Sequence, residues 1–122
     1  MPIFDQETRA VLETATGALQ ESDVAQTILQ QLGGSGRLKA MIGAKHFMSI
    51  DKGMGLSFQF PNQNRSQPNA VNIRYNAGTD EYNVEFGRAS NSGYKVLKKV
   101  DGVQASELKR LFTQTTGLHL SL

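Results

Sequence analysis

The sequence predicts an α+β fold: two N-terminal helices, an antiparallel meander of four to five strands, and one C-terminal helix packed on the sheet. Three observations lead there. Residues 54–60 alternate with period two: Met54, Leu56, Phe58 and Phe60 are apolar, with Gly55, Ser57 and Gln59 between them. Short alternating runs follow at Val71, Ile73, Tyr75 and at Tyr82, Val84, Phe86, separated by turn-forming residues. The segments before Gly33 and after Gly102 carry helical spacing instead.

A first helix is expected from Asp5 to about Leu19, capped by Asp5, with Val11, Leu12, Ala15 and Leu19 on one face. Residues 23–32 read as a stronger helix, because Val24, Ala25, Ile28, Leu29 and Leu32 form one apolar stripe. Gly33-Gly34 supplies the positive φ that ends it, and residues 33–36 read as a flexible joint between a helical arm (1–32) and the sheet (37–122) of a single domain. Arg37 to Ile50 reads as one bent strand, or as two strands broken at Gly43. The stretch 61–68, PNQNRSQP, is a polar surface loop. Residues 76–80 and 90–93 are turns. On the last strand Tyr94 and Val96 are expected on the core face, with Lys95, Leu97 and Lys99 on the other. Residues 104–116 form the final helix through Leu108, Leu111, Phe112 and Thr115, with Gly117 as its cap, and the alternating Leu118, Leu120 and Leu122 suit a docked tail.

Composition narrows the chemistry. The 122-residue chain has no cysteine, which excludes disulfides, thiol catalysis and cysteine-ligated zinc. His46 and His119 lie far apart in sequence, with no ligand spacing near either. No nucleophile elbow occurs. Gly33 to Lys39 has the wrong order for a Walker loop, because a helix precedes the glycines and a strand is expected after them. These readings point away from an enzyme, and no cofactor is implied. The absence of a signal-like start and of any membrane-length apolar run makes a soluble, cytoplasmic protein the expectation.

Charge is unevenly placed. Residues 1–36 hold five acids against Arg9, a balance of −4; residues 37–122 hold twelve Lys/Arg against six Asp/Glu, a balance of +6. If the helices cover one face of the sheet, Arg74, Lys95 and Lys99 are expected on the open one. Arg88 and Lys98 lie on the same late strands, and Arg37, Lys39 and Lys45 on the first. A basic sheet face can follow a phosphate backbone without reading sequence. The candidate nucleic-acid residues are therefore Arg74, Arg88, Lys95, Lys99, Lys39 and Lys45. Base stacking is not expected, because alternation turns all the strand aromatics, Tyr94 included, toward the core. The other reading is a protein-binding module or inhibitor of a host enzyme, using the acidic arm or the 61–69 loop.

The words Gly33-Gly34, Met41-Ile42-Gly43-Ala44-Lys45-His46-Phe47, Leu56-Ser57-Phe58, Val84-Glu85-Phe86-Gly87-Arg88 and Thr115-Thr116-Gly117-Leu118 resemble those of a group of small uncharacterised phage and mobile-element proteins. There they recur as GG, M-x-GAK-x-F, LSF, VEFGR and TGL. The resemblance spans roughly residues 29–122. It implies a mobile-element origin and carries no site residue. Proteins of that origin often accompany DNA or inhibit host machinery.

Overall fold

The computed structural model describes residues 24–120. The helix expected over residues 5–19 lies outside them. Helix α1 (Val24–Gln31) buries Val24, Ala25, Ile28 and Leu29, the stripe its spacing requires. Gly33 and Gly34 end it at φ +115° and +91°, and the Gly34 N–H donates to the Leu29 carbonyl at 2.9 Å.

The next segment differs from the expectation. Ser35–Ile42 is helix α2, not the end of a joint and the start of a strand. Leu38, Met41 and Ile42 stand at i, i+3 and i+4, so the helical face was present among the glycines. Leu38 and Ile42 are buried. Their burial outweighs the roughly 1 kcal/mol that Gly36 costs a helix interior. Gly43 is the helix C-cap at φ +69°, donating to the Lys39 carbonyl at 3.0 Å, and is not a strand break.

Five strands follow: β1 (Lys45–Ile50), β2 (Gly55–Gln59), β3 (Ala70–Asn76), β4 (Glu81–Ser90) and β5 (Gly93–Val103). They pair antiparallel in chain order as a meander, with β1 and β5 at the edges. The registers Leu56↔Ile73↔Val84 and Phe58↔Val71↔Phe86 line the large side chains up on one face. A 3-10 turn (Ala105–Glu107) leads into helix α3 (Leu108–Thr116). The α+β expectation therefore holds, with α1 and α2 as the two N-terminal helices among the described residues. No helix of these residues is long and apolar enough to cross a membrane.

All three helices cover the same face. Phe112 of α3 sits among Phe60, Phe58 and Phe86, with ring centroids at 5.2, 6.0 and 6.2 Å. Tyr82, fully buried, donates its hydroxyl to the Gln31 side-chain oxygen at 2.7 Å, tying α1 to β4. Leu120 is buried as well, so the tail docks as its alternation suggested.

Phe112→Ala should lower stability by about 3–5 kcal/mol, the usual cost of emptying a buried aromatic site. Urea denaturation followed by circular dichroism checks it; a loss below about 1 kcal/mol would show that the ring cluster does not join helix to sheet.

Candidate nucleic-acid interface

The face of the sheet away from the helices is defined by register. The row Met48, Ser57, Asn72, Glu85, Lys99 crosses all five strands on it. Arg74 lies on the same face. Its guanidinium meets Asp51 at 2.9 Å and Glu85 at 3.7 Å. Lys99 stands directly opposite Glu85. The two cations thus sit among carboxylates, and the face is mixed in charge.

Lys95 does not join them. It pairs with Arg88, two strand positions from Phe86 and so on the side the helices cover. The reason is a bulge: Gly87 faces Val96 but Phe86 faces Lys98, leaving Leu97 as the extra residue. The bulge reverses the alternation of β5. Lys98 therefore turns toward α3, where its ammonium meets the Thr115 hydroxyl at 3.5 Å. The expected trio of Arg74, Lys95 and Lys99 is split between two faces.

Tyr94 is the second departure. It is 45% exposed, not part of the core. Gly87 explains it: a Cβ there would fall inside the Tyr94 ring, so the ring lies over the bare backbone of β4. The Asn72 side-chain amide reaches the Tyr94 hydroxyl at 3.4 Å. Burial against the sheet pushes the phenol up to about 12, and the Glu85 carboxylate beside it adds to the rise.

The basic residues that do gather are at one end of the sheet. A meander places β1's start, the β2–β3 loop and the β4–β5 turn at one end, and the β1–β2 turn, the β3–β4 turn and β5's end at the other. The second end holds Asp51, Asp80, Glu81, Asp101 and Glu107. The first holds Lys45, Arg65, Arg88 and Lys95, with no carboxylate among the described residues. A groove of about 410 Å³ there is lined by Arg65, Arg88, Lys95 and the small residues Ser66, Ser90 and Ser92, among others. A neighbouring one of about 300 Å³ is lined by Lys45, Arg88, Asn62, Gln63 and Asn69 with aromatic and proline neighbours.

Arg88 builds this end as well as charging it. Its guanidinium donates to the Asn62 carbonyl at 2.8 Å, Gln67 at 3.3 Å and Asn64 at 3.4 Å, gathering the 61–69 loop around itself. Arg65 and Lys95 form no ion pair among the described residues. Arg88 and Lys95 are direct cross-strand neighbours, a like-charge pairing that ordinarily weakens a sheet.

Of the sequence-derived candidates, Arg88, Lys95 and Lys45 come together here, whereas Arg74 and Lys99 stay on the mixed face. Lys39 is on α2 rather than on the first strand, with its ammonium 6.0 Å from the Phe47 ring. Arg65 was missed. Its only signal was its place as the single charge in a polar loop bounded by prolines. Among the described residues no group of three or more His, Asp or Glu lies close enough to hold a metal ion. No family model, curated protein or solved structure matches this chain.

Two outcomes test these contacts. Arg88→Met should free the loop and cost about 1.5–3 kcal/mol, the range for hydrogen bonds to a charged group. Amide exchange at residues 62–67 should rise with it, and unchanged protection would remove the organising role. Tyr94 has a folded-state value near 12 against an ordinary value near 10, so its protonated form favours the folded state. That contribution is complete below pH 10 and fades as pH rises from there toward 12. Absorbance at 295 nm should show a tyrosine component near pH 12 that Tyr94→Phe abolishes.

Proposed function

We propose that this chain is a non-enzymatic binding protein of phage or mobile-element type that contacts nucleic acid at the basic end of its sheet. The observation that carries the reading is the end formed by Lys45, Arg65, Arg88 and Lys95, whose grooves have no carboxylate in their lining among the described residues. Folding has opposed two cations across a ladder with no carboxylate paired to either among the described residues. An anionic partner relieves that repulsion, and a phosphate backbone supplies negative charge at regular spacing. The small polar residues around the grooves can hydrogen-bond sugar and phosphate oxygens without reading bases. The open face is a poorer candidate, because Asp51 and Glu85 already occupy Arg74. The words shared with phage and mobile-element proteins support the origin.

A second reading has its own observation. β5 is an edge strand with Tyr94, Val96 and Leu97 exposed at 45%, 42% and 37%. An unpaired edge bearing apolar side chains suits a protein partner that adds a strand. Its lysines and its bulge count against this, since both discourage edge pairing.

Fluorescence anisotropy with labelled oligonucleotides separates the readings. With three to four phosphate contacts, affinity should fall roughly 40–150-fold between 50 and 200 mM salt. Arg65→Glu with Lys95→Glu should weaken binding by at least tenfold. Arg74→Gln with Lys99→Gln should leave it unchanged. No binding at 50 mM salt would overturn the nucleic-acid reading.

A further inference from the structure

The β4–β5 hairpin outruns the sheet. β3 stops pairing where Ala70 faces Gly87. Beyond that point the pairs Arg88↔Lys95, Ala89↔Tyr94 and Ser90↔Gly93 continue past the end of β3, with the 61–69 loop held beside the first two through Arg88 and Asn69. Three residues at about 3.4 Å each make this two-stranded ribbon roughly 10 Å long. Its root is braced: the Asn69 side chain accepts from the Ala89 N–H at 2.7 Å and donates to the Ala89 carbonyl at 3.0 Å. At the tip the Ser90 and Ser92 hydroxyls are 2.9 Å apart. Asn91 and Ser92 are small, polar and exposed. The cations flank the tip: Lys95 is at the root, and Arg65 of the adjoining loop lines a groove with Ser90, Asn91 and Ser92.

We infer that this ribbon enters the major groove of duplex DNA, with its Asn91–Ser92 tip toward the base edges and Lys95 and Arg65 on the flanking phosphates. The inference rests on the nucleic-acid reading above and narrows it to one form. The B-form major groove is about 12 Å wide and 8.5 Å deep and admits a two-stranded ribbon. The Ser90↔Gly93 pair and the Asn91–Ser92 turn stand beyond the Asn69 brace, and this tip is the part that the groove receives. The major groove of an RNA duplex is too narrow for it. Single-strand recognition relies on aromatic platforms. Phe58, Phe60, Phe86 and Phe112 are buried. Tyr94 has one ring face against Gly87 and its hydroxyl beside Asn72.

The test uses the full chain and three labelled probes of one sequence: a 20-base-pair DNA duplex, its single strand and the RNA duplex. The DNA duplex should bind at least tenfold tighter than either other probe. Guanine N7, which opens to the major groove, should be protected from dimethyl sulfate on the bound duplex. Ser92→Glu at the exposed tip should reduce duplex affinity at least tenfold while circular dichroism stays unchanged. Equal affinity for the three probes, a preference for single strand or RNA, or unprotected N7 in a saturated complex would overturn the groove assignment while leaving nucleic-acid binding intact. Absence of binding to every probe at 50 mM salt would overturn both.

Discussion

The structure depends on a dry seam between one face of the sheet and the helices, and Phe112 stands at its centre. The ring touches Phe58, Phe60 and Phe86, which come from three different segments, so one helical side chain holds β2, the start of the β2–β3 loop and β4 together. An antiparallel sheet has to bury one face and can leave the other in water. With the apolar face committed to α1, α2 and α3, polar chemistry is left to the open face, the two ends and the edges.

The meander then sorts charge by position along the strand. Residues near one set of turns are acidic and residues near the other set are basic, although neighbours in sequence alternate between ends. Arg74 and Lys99 belong to strand positions with carboxylates beside them: Arg74 pairs with Asp51 and Glu85, and Lys99 stands opposite Glu85. Lys95 and Arg88 belong to the end where the described residues supply no acid. The basic surplus of residues 37–122 is thus not a property of a face. It is concentrated where the ribbon leaves the sheet and the 61–69 loop folds back under the Arg88 guanidinium.

Much of the fold was legible because its period-two runs were clean. Leu56, Phe58 and Phe60, then Val71, Ile73 and Tyr75, then Tyr82, Val84 and Phe86 all face the core as alternation required. The site was less legible, for identifiable reasons. Alternation fails past a bulge, and the one between Phe86 and Gly87 moved Lys95 and Val96 to the faces opposite those expected. Alternation also placed Tyr94 on the core face; the same bulge turned it outward, where the missing side chain at Gly87 on the neighbouring strand gave its ring a resting place. Glycines at 33, 34 and 36 hid the helical spacing of Leu38, Met41 and Ile42. Arg65 carried no periodic signal at all, because loops have none.

The sequence by itself determined the class of fold, the core face of the central strands, the final helix with its Gly117 cap and the exclusion of thiol chemistry. Those properties depend on residue type and on spacing over a few positions, which local physics reads directly. The tertiary structure alone decided which cations share a surface. That depends on register, on the bulge in β5 and on contacts such as Arg88 to the loop carbonyls, 21 to 26 residues away in sequence. Charge acts through space over several ångströms, so its grouping is settled only when distant segments are brought side by side.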